Sequence, residues 1–394
     1  MSVTSERLFT PRFFLMCGFS FTVFLSAFQM FPTAPFHIRD LGGSTFAAGL
    51  FLAFLTYSSA VSAPLTGALA DRMGLRRTLV VSGLAITGCS AGYALLTDYR
   101  LMLGLTIVHG LFWSGLLTAS GAYMTSILPS GRRAEGIGYW GMSSVSAMAL
   151  APSLGFWIYQ HGWVWLCLAT GTLNLAMAVI AWRLPVERIR RTEAHAAPPT
   201  ALVEWRVMAV AVTLMLYSYS YGGITSFAAM YAEANHVTPK AIYLTVLAIA
   251  ILLTRPFSGT LADRLGYTRV LIPCLALISI GLALLAVGGS KSWQIASAAI
   301  FGAGYGSAYP IFAAWVLHRV HESRRGAAFG AIIAAFDTGI GTGSLLTGWL
   351  IQHYGFRLAF AVAAGVSALA IPYFLGARGM MRQPPVSAPA GSIP

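Results

Sequence analysis

Gly67-Ala-Leu-Ala-Asp71-Arg72-Met-Gly74-Leu-Arg76-Arg77 returns 192 residues later as Gly259-Thr-Leu-Ala-Asp263-Arg264-Leu-Gly266-Tyr-Thr-Arg269. Each copy closes one apolar run and opens another. Pro64 and Pro256 precede the two copies at the same shift, and Arg132-Arg133 and Arg324-Arg325 repeat it further along. The chain therefore reads as two similar halves in tandem.

Composition sets the solvent. Of 394 residues, 57% are hydrophobic and 9% charged, too little charge to cover a soluble protein of this size. Apolar stretches of roughly 20 residues recur, each long enough to cross a bilayer as a helix. The net charge of +13 has a placement that points away from nucleic acid. With both termini in the cytoplasm, nineteen of the 25 Lys and Arg fall on that side. Five (Arg39, Arg100, Lys240, Lys291 and Arg357) fall outside, and Arg255 alone lies within an apolar run. That asymmetry orients a membrane protein and meets anionic lipid headgroups. Cys17, Cys89, Cys167 and Cys274 all sit in apolar runs without metal-ligand spacing, so packing is their expected role and no metal is implied. The first apolar run is too long for a cleaved leader and lacks a small-residue cleavage site.

The expected fold is an all-α polytopic membrane protein of twelve transmembrane helices in two pseudo-symmetric six-helix bundles. The helices are expected near 12–35, 44–66, 77–97, 101–127, 136–159 and 163–183, then 206–231, 240–260, 270–289, 293–317, 327–352 and 357–377. The first bundle spans 1–183 and the second 205–380. Residues 184–204, with Arg188-Ile-Arg190-Arg191 and Pro198-Pro199, read as a flexible cytoplasmic linker whose charge is an orientation signal or a lipid-binding patch. The Pro- and Ser-rich tail, 381–394, reads as disordered.

The doubled turn, the six-plus-six plan, the basic linker and the cytoplasmic termini together resemble the major facilitator superfamily of secondary transporters, over residues 10–380. The superfamily's signature between its second and third helices is Gly-x-Leu-Ala-Asp-Arg-x-Gly-Arg-Lys. Gly67, Leu69, Ala70, Asp71, Arg72, Gly74 and Arg76 match it, with Leu75 in place of the first closing basic residue. The second copy keeps Gly259, Asp263, Arg264 and Gly266 but carries Tyr267-Thr268 there. The resemblance implies a latch at Asp71 that ties the halves together on the cytoplasmic face in the outward-open state. The residues alone allow a tight turn, with glycine where backbones approach and Asp able to cap a helix start.

Charge inside the membrane is costly and marks function. Asp337 is the one acidic residue well inside an apolar run, in Phe336-Asp337-Thr-Gly339-Ile-Gly341-Thr-Gly343, where alternate glycines admit a neighbouring helix. It reads either as an acid that exchanges a proton or binds a cation, or as a structural contact between helices. Arg255, in Leu253-Thr254-Arg255-Pro256, has three readings: snorkelling, pairing with Asp337, or binding an anionic solute. Pairing with Asp337 is the first expectation.

In the superfamily, helices one, four, seven and ten line the central cavity. The resemblance thus nominates Gln29, then His109 and Trp113 one turn apart, Tyr217 and Tyr221, and Tyr305 and Tyr309. An aromatic cavity of low charge suits an amphipathic or aromatic organic solute. His109 reads as a second proton carrier or as a packing histidine. The resemblance to drug–proton antiporters is partial. The arginine expected in helix four is Thr106, and the antiporter motif of helix five survives as Ala151-Pro152-Ser-Leu-Gly155, where Pro152 bends or loosens the helix. No phosphate-cradling loop, metal cluster or nucleophile–base pairing appears, so no enzyme and no cofactor is expected. The expected function is proton-coupled efflux of a drug-like or metallophore-like compound across the inner membrane by alternating access. Uptake or facilitated diffusion stands as the alternative, and a non-transporting sensor on the same fold as a further one. The expected partners are that solute, protons and the lipid bilayer; a monomer suffices, because one chain holds both halves.

Overall fold

The computed structural model describes residues 8–129, 132–186, 205–320 and 325–381, without the side chains of residues 71, 134 and 325–327. The charged linker and the Pro-rich tail lie outside the described residues. Helices account for nearly all the rest: α1 Pro11–Asp40, α2 Thr45–Met73, α3 Leu75–Leu95, α4 Tyr99–Ile127, α5 Arg133–Tyr159, α6 Trp163–Arg183, α7 Trp205–Ala234, α8 Ile242–Leu265, α9 Tyr267–Val287 and α10 Lys291–Leu317. A last stretch, Arg325–Ala377, is broken at Gly355 (φ 83°, ψ 170°). Its arms, 325–354 and 356–377, are α11 and α12. With that stretch counted once, eleven described helices are long and apolar enough to cross a membrane. The break at Gly355 divides the last and makes twelve.

The internal repeat is visible in the backbone. Gly74 (φ 90°, ψ 144°) and Gly266 (φ 92°, ψ 137°) occupy equivalent positions, and each donates its N–H over 2.9 Å to a carbonyl four residues back, Ala70 and Ala262. One left-handed residue reverses the chain in each half, a conformation open to glycine. His161 and His353, also 192 apart, each bond through Nδ1 to the carbonyl of a tryptophan one turn earlier, at 3.0 and 2.8 Å.

Several helix ends differ from the sequence expectation. α2 runs to Met73 rather than stopping near 66, so Asp71 and Arg72 lie on its last turn, and Asp263 and Arg264 likewise end α8. Helix hydrogen bonding continues past the end of the apolar run until a glycine breaks it. α3 and α9 begin at a glycine N-cap, Gly74 and Gly266, which has no side chain to cap them. α1 extends to Asp40 through Pro32 and Pro35, which moves the first turn to Leu41.

In the first bundle α1 packs on α5 and α6, α3 on α4 and α6, and α2 on α4. In the second, α7 packs on the α11–α12 stretch and α10 on α8 and α9. The bundles meet along α2 with α11, and α5 with α8. Glycines place α11 at that seam. A Cβ on Gly343 would lie 1.7 Å from the Tyr219 carbonyl oxygen of α7, and one on Gly339 would lie 2.5 Å from that of Met215. A Cβ on Gly341 would lie 2.6 Å from Thr56 Oγ1 of α2, and one on Gly348 would lie 2.9 Å from both the Thr45 carbonyl of α2 and Phe227 Cζ of α7. α11 is thus wedged between its own bundle and the other one, on two separate glycine faces.

Gly343→Ala forces a methyl into backbone and is expected to destabilise the protein by about 1–3 kcal/mol. Gly330→Ala, where a Cβ meets nothing within 4 Å, is expected to hold or raise stability. Thermal melting of the two purified variants in the same detergent reads the difference.

Candidate functional site

Asp337 lies on the α2 side of α11. It is 6% exposed, and its Oδ2 accepts a 2.8 Å hydrogen bond from Ser59 Oγ of α2 in the other bundle. From Asp337 towards the face away from the Asp71 and Asp263 turns, the seam is stitched further. Tyr57 OH meets Thr342 Oγ1 at 2.8 Å, Ser344 Oγ donates to the Gly49 carbonyl at 2.8 Å, and Phe46 N–H donates to Gln352 Oε1 at 3.0 Å. Ser153 and Thr245 hydroxyls join α5 to α8 at 3.1 Å. On the side of the Asp71 and Asp263 turns, here the basic face, no hydrogen bond or ion pair joins the bundles among the described residues. The hydrogen bonds that join the bundles among the described residues thus lie towards the opposite face, and the Asp337 bond is the one nearest the basic face.

Arg255 does not pair with Asp337. The described ion pairs are Arg132–Glu135 and Lys240–Glu233, both at exposed helix ends. Asp337 faces α2, and Arg255 faces α5. A Cβ on Gly141 of α5 would lie 3.4 Å from Arg255 Nη2. Tyr309 lies near both charges.

The nominated aromatic residues fall into two groups. In the second bundle Tyr221 and Tyr305 stack with centroids 4.5 Å apart and planes 9° apart, and Tyr217 meets Tyr305 edge-on at 6.0 Å. Tyr309 packs on Phe336, beside Asp337, at 5.1 Å. Tyr217 OH, Tyr305 OH and Gln29 Oε1 are buried without a hydrogen-bond partner among the described residues. Such groups are costly unless a ligand or water meets them. In the first bundle, Trp113 packs edge-on against Phe24 and Phe31 of α1, and His109 Nδ1 lies 3.2 Å from Tyr93 OH of α3. Both border a space of about 10 Å³ within the first bundle, together with Ser26, Ser90, Thr170 and Asn174. That holds one water and no organic solute. The structure therefore brings Tyr217, Tyr221, Tyr305 and Tyr309 together near Asp337 and Arg255, and sets His109 and Trp113 apart from them. Gln29 packs its backbone against α5, where a Cβ on Gly155 would lie 2.9 Å from Gln29 Cα. α5 itself stays helical through Pro152.

At the basic face, the Arg76 guanidinium donates to the Trp182 carbonyl of α6, inside its own bundle, and Arg72 is exposed. The Asp71 side chain lies outside the described residues. In the second copy Asp263 Oδ1 accepts from Tyr267 OH at 2.9 Å, and that hydroxyl also meets His318 Nε2 at 3.1 Å. Leu75 and Tyr267, the departures from the signature, are equivalent first residues of α3 and α9, and both pack against the core. Sequence reasoning missed Ser59, Tyr57 and Gly141. The run Thr56-Tyr-Ser-Ser59 inside an apolar helix was the available signal for the first two.

The family model for the Major Facilitator Superfamily matches residues 14–234 and again 210–392. The chain belongs to the major facilitator superfamily. The match to each half in turn accords with the repeat of the two glycine turns. Among relatives, the uncharacterized MFS-type transporter YhhS of Escherichia coli (strain K12) is 25% identical over 363 residues, covering 90% of this chain and 89% of that protein. An MFS-type transporter of Burkholderia mallei (strain SAVP1) is 27% identical over 390 residues, covering 92% of each. Of solved structures, the nucleoside transporter NupG matches with a TM-score of 0.76 at 14% identity, over 94% of this chain and 99% of that one. The human organic anion transporter MFSD10 matches with a TM-score of 0.70 at 15% identity, over 93% and 100%. This superfamily member is a multi-pass membrane transporter of the secondary type.

His109→Leu is expected to lower the melting temperature while leaving KM for the carried solute within about twofold, because its hydrogen bond to Tyr93 is internal to one bundle. Tyr305→Ala removes the centre of the aromatic group and is expected to raise KM about tenfold. Flux of labelled solute in vesicles, normalised to protein, compares the two.

Proposed function

We propose that this transporter exports a small organic solute in exchange for protons, with Asp337 as the coupling acid. The observation that carries the reading is the Ser59–Asp337 hydrogen bond across the seam. It is the inter-bundle hydrogen bond nearest the basic face among the described residues, and it joins the one buried carboxyl among them to the opposite bundle. Opening the far face must separate α2 from α11 and break this bond. A change in the protonation of Asp337 alters what it can accept or donate there, and so biases the equilibrium between the two openings.

The remaining assignments follow. The basic face is cytoplasmic, in a bacterial inner membrane, with both termini on that side. The bundles comprise residues 1–183 and 205–380, joined by a linker at 184–204, and a monomer is the working unit. Gly67, Asp71, Arg72, Gly74 and Arg76, with Asp263 and Arg264, form the latch when the cytoplasmic face closes. In the conformation described Arg76 and Asp263 hold neighbours within their own bundles, as an open latch would. The tyrosines of α7 and α10, with Gln29, form the solute cavity, and Pro152 with Gly155 lets α5 shift against α1.

A second reading, uptake or facilitated passage, has one observation in its favour. Thr106 stands where the antiporters carry an arginine, and its hydroxyl donates to the Met102 carbonyl 2.9 Å away. It offers no charge to that part of the path.

Asp337→Asn keeps an acceptor for Ser59 but cannot ionise. It is expected to abolish solute accumulation driven by a pH gradient while preserving solute exchange, in proteoliposomes carrying an internal pH dye. Uphill transport that survives unchanged in Asp337→Asn removes the residue from this role.

A further inference from the structure

Arg255 lies thirteen residues into α8, about 20 Å along the helix. It is half-buried, and its guanidinium makes no hydrogen bond or ion pair among the described residues. Two arginines near helix ends contrast with it. Arg319 donates to the Trp315 carbonyl at 2.9 Å and sits over the Trp315 ring at 4.4 Å, and Arg132 pairs with Glu135. The carboxyl at matching depth, Asp337, is turned away and held by Ser59. What faces the guanidinium across the seam is Gly141, and a Cβ built one turn earlier on the same face of α5, at Gly138, meets nothing within 4 Å. A cation at this depth is thus left without an ion-pair partner among the described residues, next to Tyr309, which itself lies one helical turn from Tyr305.

We propose that Arg255 binds the anionic group of the carried solute, a carboxylate, sulfonate or phosphate, while an aromatic body lies against Tyr305 and Tyr217. The inference rests on the transporter reading above and names the chemistry of its cargo. A guanidinium offers parallel N–H donors that match two oxygens of such a group. Tyr217 OH and Tyr305 OH, both unpartnered among the described residues, supply further donors. The stacked rings of Tyr221 and Tyr305 provide the apolar surface. Tyr309 lies near both Arg255 and Asp337, so a bound anion and the coupling acid share one neighbour.

The test is binding to the purified full-length chain in detergent, read by thermal melting and tryptophan fluorescence. The probes are matched pairs: naphthoate against naphthamide, naphthalenesulfonate against its sulfonamide, and naphthyl phosphate against naphthol. At least one anion is expected to bind about tenfold or more tightly than its neutral partner, and Arg255→Gln to remove that preference. Gly141→Leu, whose side chain would extend into the position the guanidinium now holds, is expected to do the same. Without ligand, Arg255→Gln is expected to melt no lower than the parent, since it breaks no contact. The assignment is overturned if no pair shows an anion preference or if Arg255→Gln retains it. A sharp fall in the melting temperature of that variant also overturns it, by showing a structural role. A shift produced by phosphatidylglycerol micelles and by none of the soluble anions overturns it in favour of lipid. If Asp337-dependent solute-evoked proton flux persists in proteoliposomes while anion preference is absent, the transporter reading stands and the Arg255 assignment alone falls.

Discussion

The seam between α11 and its two neighbours is the constraint on which the rest of the molecule depends. Lipid offers no hydrophobic drive to press one apolar helix on another, so close approach must come from small residues and hydrogen bonds. α11 supplies both. Gly339 and Gly343 admit the α7 backbone, while Gly341 and Gly348 admit α2. The first contact makes α11 part of its own bundle. The second makes it the surface on which the other bundle rests. Because both faces are glycine, the helix is held closely without bulky interlocking, a geometry that can separate along one face and stay intact along the other.

Asp337 takes its meaning from that position. A carboxyl on a lipid-facing or bundle-interior surface would be a structural oddity. On the α2 face of α11 it meets Ser59 of the opposite bundle, in the inter-bundle hydrogen bond nearest the basic face among the described residues. Four further hydrogen bonds lie beyond it towards the opposite face: Tyr57–Thr342, Ser344–Gly49, Phe46–Gln352 and Ser153–Thr245. All but one of these involve a hydroxyl. Such neutral bonds are individually modest, about 0.5–1.5 kcal/mol net, so a seam made of them can open. The signature turns sit at the other end of the same helices. Their polar groups are occupied within each bundle, by the Trp182 carbonyl for Arg76 and by Tyr267 for Asp263.

The second bundle carries the aromatic group, and the first carries a closed polar interior. Tyr93, His109, Ser90 and Asn174 satisfy one another between α3, α4 and α6. Their counterparts across the repeat are mostly apolar: Phe301 stands where His109 does, and Val366 where Asn174 does. The two halves share a backbone plan and have diverged in what fills it. That divergence gives one bundle whose polar groups pair with one another and another whose buried tyrosines stack together, two of their hydroxyls without a partner among the described residues.

Much of this was legible in the residues. The 192-residue shift, the span lengths and the glycine at each Asp-Arg turn determine the twelve-helix plan, because bilayer thickness and backbone hydrogen bonding leave a chain of this composition few alternatives. The depth of Asp337, Arg255 and the tyrosines is also a property of sequence, since helical rise converts position into height. Rotation about each helix axis is not. Whether Asp337 faces Arg255 or Ser59, and whether His109 faces a cavity or Tyr93, turns on which glycine face of each helix meets which neighbour. In an all-apolar helix no amphipathic stripe reveals that choice, so only the packed structure decides it.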